Sequence, residues 1–263
     1  IPVVEIRNAS NGSIIDGFNI KDGQRGILFD DTFTWPPLEN IIIRNNIIQN
    51  NGWTELDDNV GAGIKVVGSN ITIDNNIIRN NRAGRGGGIS TEGDNITISN
   101  NLIDSNIANS NHGGGLYLYG KVNLINNVVS NNQVGFVCGY GWGGGAIFLE
   151  TPSNYSISLN NIYHNNYALT YGGGVFVDEE AFVYMTNDLV FKNFTNDNTH
   201  SGAGIAVDQS GTGQSSTLII KNCTVADNYS LQNITGNGIF VDENCYVEAK
   251  NCIFWNNNGD FKV

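Results

Sequence analysis

Acidic residues at one repeating register are the side chains best placed for chemistry. Asp178, Asp208 and Asp242 each stand three residues beyond the apolar residue that follows a glycine block, and Asp30, Glu92 and Glu150 fall in the same column. If the repeats stack ~4.8 Å apart, neighbouring carboxylates repel by roughly 0.9 kcal/mol per pair even at water's dielectric. A Ca²⁺ ion would relieve that repulsion through oxygen ligands. Asp178, Glu179, Asp208 and Asp242 are the metal candidates, because Glu179, Glu180 and Glu243 add oxygens locally. The competing reading is that these acids open turns and splay into solvent. Polysaccharide hydrolysis needs two placed carboxylates, and a Ca²⁺-dependent lyase adds a Lys or Arg base. The basic residue nearest the column's centre is Lys65, beside Val67, where the column is interrupted. No catalytic residue is therefore assigned, and no cofactor is required.

Aromatic residues gather at a second register. Trp53, Phe136, Tyr140 and Trp142 lie in insertions on one corner of the repeat, with Arg82, Arg85, His112, Tyr167 and Tyr171. The tryptophans are three repeats apart, or ~15 Å at the stacking distance. Aromatic faces beside polar groups suit sugar rings. Trp53, Tyr140, Trp142, Arg82 and Arg85 are the candidate ligand-binding residues, against the plainer reading that the rings fold back and cap their loops.

Other motifs carry little. Gly139–Gly144 spells G-x-G-x-x-G, but no helix follows it. P-loop, GxSxG, HExxH and GGxGxD patterns do not occur, and His112, His164 and His200 are dispersed. The net charge of −12, with only 13 scattered Lys and Arg, argues against a nucleic-acid partner. No apolar run approaches the ~18 residues of a membrane span. The start, Ile1-Pro2-Val3-Val4, has no leader character, which points to a processed chain or a fragment. Four cysteines are too few for a disulfide scaffold.

The elements that must position these residues come from a repeat. Aligned on the second Asn of each double-Asn break, one column reads Phe18, Asn46, Asn76, Asn101, Asn127, Asn161, Asp188, Cys223 and Cys252. Five residues on, Gly23 is followed by Asn51, Asn81, Asn106, Asn132, Asn166, Asn193, Asn228 and Asn257. The apolar residues after the glycine blocks are Ile27, Ile64, Ile89, Leu116, Ile147, Val175, Ile205 and Ile239, spaced by 25 to 37 residues. Such a period means a solenoid, propeller or array. Gly and Asn interrupt the chain too often for helices. Each unit holds about three short strands joined by bends, fewer than a propeller blade needs. The reading is an all-β, right-handed parallel β-helix of about nine coils, one domain over 1–263, in which stacked coils share one core. Inward Asn residues should bond coil to coil. The segment Tyr155–Asn166 shows a one-residue slip before its Asn pair, read as a bulge or a shorter bend. Cys223 and Cys252 stack in one column and are expected to remain thiols.

The pairing of GGx[ILV] (Gly87-Gly88-Ile89, Gly173-Gly174-Val175) with apolar-x-x-Asn (Ile78–Asn81, Val129–Asn132, Phe254–Asn257) resembles right-handed parallel β-helix repeats of secreted bacterial and archaeal surface proteins. It is similar to the polymorphic outer-membrane adhesin repeats, although those prefer Phe where this chain has Ile or Val. Asn11–Gly23 looks like the opening coil of such proteins. The resemblance implies an extracellular or cell-surface, non-enzymatic adhesin, stalk or filament subunit with glycan contacts. A polysaccharide lyase or glycoside hydrolase is the alternative on the same fold. Strand-like patterns at both termini lead to a further expectation, head-to-tail association with other copies or continuation into a longer solenoid.

Overall fold

The computed structural model describes residues 1–7, 11–29, 38–52, 60–110, 112–135, 141–149, 155–196, 202–209, 215–232 and 236–262. Their strands form four parallel sheets that run the length of the molecule. Sheet I has ten strands, from Pro2–Ile6 to Phe261–Lys262. Sheets II and III have nine each, from Ile14–Asp16 to Tyr246–Lys250 and from Asn19–Lys21 to Ile253–Trp255. Sheet IV has six two-residue strands, from Arg82–Ala83 to Tyr229–Ser230. The chain visits the sheets in that order and then returns to sheet I one coil further on. This is a parallel β-helix, as the repeat implies.

Each double Asn divides two tasks between its residues. The first takes a left-handed backbone, with φ from +53° to +57° at Asn45, Asn50, Asn75, Asn80, Asn100, Asn126, Asn131, Asn160 and Asn165. Asn tolerates that region better than most residues with a Cβ. The second Asn turns inward. Asn101 donates from its backbone N and its Nδ2 to Asn127 Oδ1, both at 3.0 Å. Its Nδ2 also donates to the Ile73 carbonyl at 2.9 Å. Its own Oδ1 accepts from Asn76 N at 2.8 Å and Asn76 Nδ2 at 3.0 Å. The same pattern repeats at the next corner, from Asn51 to Asn257. Two ladders of buried amides thus tie the coils together. Asn101→Ala should destabilise the protein by about 3 kcal/mol, since more than one buried group loses its partner at about 1–3 kcal/mol each. A urea denaturation midpoint unchanged by this substitution would contradict the ladder.

Between the ladders runs one apolar core, which includes Ile27, Ile64, Ile89, Leu116 and Val175 from sheet I and Ile78, Ile103, Val129 and Val190 from sheet III. Two register expectations need correction. There is no bulge at Tyr155–Asn166: Asn123 pairs with Ile157, Leu124 with Ser158 and Ile125 with Leu159. Ser156 and Ser158 instead face inward and are fully buried. Tyr163 enters from sheet III beside them, fully buried, with its hydroxyl 2.9 Å from Ser158 Oγ. The coil looked slipped because its inward residues are serines. At the preceding strand, Ala146–Leu149, the inward anchor is Ala146, paired with Leu116 and Val175, and not Ile147. Ile147 faces outward, yet it too is fully buried.

The first ladder changes chemistry near its end. Asp188 accepts from Asn161 N at 2.6 Å, and its own N donates to Cys223 Sγ at 3.3 Å. Cys223 Sγ donates to the Lys221 carbonyl and Cys252 Sγ to the Lys250 carbonyl, each at 3.2 Å. A thiol thus replaces an amide as donor to a nearby carbonyl. Cys223, Cys245 and Cys252 are free, while Cys138 lies outside the described residues. Thiol titration of the denatured, unreduced protein should therefore count at least three groups.

Candidate functional site

The acidic column is real but has three consecutive members among the described residues, not four. Leu149 pairs with Tyr119, and the pairing of Phe148 with Val177 sets Leu149 beside Asp178; Glu150 lies outside the described residues. Asp178, Asp208 and Asp242 each follow a strand of sheet I and stack through backbone bonds: Asp178 N to Phe148 O at 3.0 Å, Asp208 N to Val177 O at 3.0 Å, and Asp242 N to Val207 O at 2.9 Å. Asp178 is only 7% exposed, and its Oδ1 accepts from Glu179 N at 2.8 Å. Burial raises its pKa to about 6. Asp208 rises further, to about 8, first through burial and then through its side-chain hydrogen bond with Asp242. Burial and the neighbouring Asp242 carboxyl both favour the protonated form of Asp208, in which the two carboxyls share a hydrogen bond. The repulsion expected of stacked carboxylates is thus relieved by a proton. A Ca²⁺ ion would have to displace it. Among the described residues, no three His, Cys, Asp or Glu side chains converge to hold a metal ion.

The aromatic corner is divided. Trp53 and Tyr140 lie outside the described residues. Arg82 is drawn away, its Nε donating to Asn109 Oδ1 at 2.7 Å. Arg85 and Trp142 are brought into one cluster by His112, which stands between them in the stack of coils. The Trp142 and His112 rings lie 4.8 Å apart, and His112 is 5.9 Å from Tyr117. Tyr117, which the repeat alone did not single out, shares a hydrogen bond with Arg85. Burial and the Arg85 charge push the His112 pKa down to about 4, so the imidazole is neutral at pH 7. Its Nδ1 is buried with no hydrogen-bond partner among the described residues.

Trp142 is half-buried and packs on a second apolar cluster, made of Ile147, Leu149, Phe176, Ala206 and Phe240. These residues stand on the outer face of sheet I, and their burial means that the chain sheathes that face. Tyr171 stacks on Phe176, with ring centroids 5.6 Å apart and planes 14° apart. Trp142, at least, therefore packs against the scaffold.

A different surface escaped the sequence analysis. On sheet IV, Gln133, Tyr167, Phe194 and Tyr229 occupy one outward column in consecutive coils. The Tyr167 and Phe194 rings are 5.1 Å apart, and Phe194 and Tyr229 are 5.4 Å apart with planes 9° apart. Gln133, Phe194 and Tyr229 of this column, with Asn131, Asn165, Lys192 and Asp227 beside them, line a groove of about 670 Å³. The signal in the sequence was an aromatic residue directly after the inward Asn: Asn166-Tyr167, Asn193-Phe194 and Asn228-Tyr229.

Comparison with known proteins agrees with this geometry. The model of the right-handed beta helix region matches residues 4–103 and 87–261. No curated protein and no solved structure matches the chain. The two matched stretches overlap and span nearly all of the sequence, and the chain belongs to the right-handed β-helix family.

Proposed function

We propose that this β-helix is a non-enzymatic structural and adhesive protein of the cell surface, a stiff scaffold whose flank meets glycans. The two amide ladders carry the proposal. They join every coil to the next by side-chain as well as backbone bonds, which suits an element that must hold its shape under load. Charged residues are few, at 14%, and the outer polarity comes from Asn, Ser and Thr, whose hydroxyls and amides match those of sugars. Antibody labelling of intact producing cells, paired with a glycan array probed with the purified chain, tests both halves. Exclusively intracellular antigen, or an array without signal, would remove the corresponding half. Coils that stack through backbone bonds also stack between copies, so the proposal includes head-to-tail association. A sedimentation profile that stays monomeric at high concentration would remove that part.

One observation favours a second reading. A carboxyl protonated at neutral pH, such as Asp208, is what a glycosidase uses as its general acid. On that reading the protein is a polysaccharide hydrolase or lyase, and Asp208→Asn abolishes turnover on neutral or uronic-acid polysaccharides. Absence of any turnover by the wild-type chain leaves the scaffold reading.

A further inference from the structure

We infer that the groove between sheets III and IV, walled by Phe194 and Tyr229 and floored by Lys192 and Asp227, binds a short stretch of a neutral linear oligosaccharide lying along the helix axis. The inference rests on the glycan half of the proposed function and gives it a place and a chemical class.

The first observation is a backbone one. Asn131, Asn165, Lys192 and Asp227 occupy the left-handed position of the corner between these sheets. Asn fills it at Asn50, Asn80, Asn131, Asn165 and Asn256, whereas Lys192 takes it with φ of +54° and Asp227 with +55°. Lys192 is the one lysine with positive φ among the described residues. A left-handed backbone strains an L-residue, and Asn bears it better than Lys. Strain of this kind persists where the side chain is needed for a task. The Lys192 side chain has no task within the fold: its ammonium makes no hydrogen bond or ion pair among the described residues. The Asn165 side-chain amide likewise has no hydrogen-bond partner among the described residues. The neighbouring serine at this position, Ser105, differs in that its hydroxyl donates to Asp104 at 2.9 Å.

The second observation is what surrounds Lys192. Tyr229 is 42% exposed, and Phe194 is half-buried beside it. Their parallel rings are 5.4 Å apart, further than direct face-to-face contact, so they overlap like shingles and leave part of each face open. Such faces suit the C–H side of a sugar ring. The coil spacing, close to the length of one pyranose unit, repeats this platform along the axis. The groove is also within the ~300–1,000 Å³ range of small-ligand sites.

The third is charge. Lys192 and Asp227 stand on adjacent coils, with Lys192 N donating to the Ala226 carbonyl at 3.2 Å. An ammonium offers only donors and a carboxylate only acceptors. A hydroxyl does both, so neighbouring sugar hydroxyls can accept from Lys192 and donate to Asp227. A uronic acid would gain Lys192 but meet Asp227, inside a chain of net charge −12 whose field repels anionic polymers. The neutral class follows.

Titration calorimetry with the whole chain tests this, using hexaoses of β-1,4-linked glucose, mannose and xylose, and of galacturonate as the acidic control. At least one neutral hexaose should bind. Lys192→Asn should weaken it by about tenfold or more, the scale set by about 1.4 kcal/mol of lost contact. The same substitution should hold or raise the urea midpoint, because it returns Asn to the left-handed position. Tyr229→Ala, at an exposed ring, should weaken binding comparably without unfolding the chain. A neutral hexaose bound equally well by both variants would overturn the groove while leaving the adhesive reading intact. Binding of galacturonate alone would overturn the neutral class. Failure of every hexaose, together with a silent glycan array, would overturn both the groove and the glycan half of the proposed function.

Discussion

Asp188→Asn should stabilise the protein by about 4 kcal/mol at pH 8 and by almost nothing at pH 4. Asp188 occupies an Asn position in the first ladder and is 2% exposed. Its Oδ1 serves Asn161, but its Oδ2 is buried without a hydrogen-bond partner; the nearby Ser158 hydroxyl is engaged by Tyr163 and Asn161. Burial pushes its pKa up to about 7 from the ordinary 3.8. The folded form thus keeps its proton in a range where the unfolded form has lost it. The resulting contribution to stability is complete below about pH 4 and is lost as pH rises through about 7. A shift of about 3 units corresponds to about 4 kcal/mol at 1.36 kcal/mol per unit. Asparagine carries no charge at any pH and supplies an Nδ2 donor where Oδ2 has no partner. Burial drives Asp178 and Asp208 in the same direction, so the wild type as a whole should weaken between pH 4 and pH 8. Asp104, held low by Ser130, Asn131 and Ser105 against its own burial, works the other way, but it cancels in the comparison of variant with wild type. Urea midpoints at pH 4, 6 and 8 give the result. An advantage of the variant that does not grow with pH would show that Asp188 is not held neutral.

Gly144→Ala should cost about 3 kcal/mol or more and drop the melting temperature by roughly 10 °C. A Cβ at Gly144 would sit 2.4 Å from the Tyr167 carbonyl oxygen and 2.5 Å from that of Gly173. Both are backbone atoms in the next coil, so no side chain can swing aside. The same residue holds its neighbours through Gly144 N to Gly172 O at 2.9 Å and Gly115 N to Gly144 O at 3.1 Å. Moving the coils apart would break these bonds. Gly87, Gly114 and Gly173 meet the coil above in the same way. Their requirement is close approach of backbones. Gly17 provides the contrast, with φ of +82° and open space around it. Gly17→Asn should therefore change stability by less than about 1 kcal/mol. Thermal melts of the two variants side by side make the comparison, and a tolerated Gly144→Ala would mean that the glycine block is not at a coil-to-coil contact.

The β-helix and its Asn ladders were legible because a solenoid writes its structure at fixed intervals. Residues that stack in space recur at the same phase of the repeat, so Asn76, Asn101 and Asn127 could be placed inward from spacing alone. The double Asn could be located but not divided into its two roles, since a left-handed φ and an inward side chain leave the same letter in the sequence. Ser158 and Ile147 show where phase misleads. A polar inward residue mimics a slipped register, and an apolar outward residue mimics an anchor.

By itself, then, the sequence determined the repeat, the corner chemistry and the column to which each residue belongs, because these depend on contacts between like positions in adjacent coils. Only the tertiary structure decided which columns become neighbours around the coil and which surfaces are covered. Trp142 rests on Phe176 because the outer face of sheet I is sheathed, and Lys192 stands free beside Phe194 because the corner between sheets III and IV is not. Those relations join residues at different phases of the repeat, and the angles at the bends that set them are not encoded in any single column.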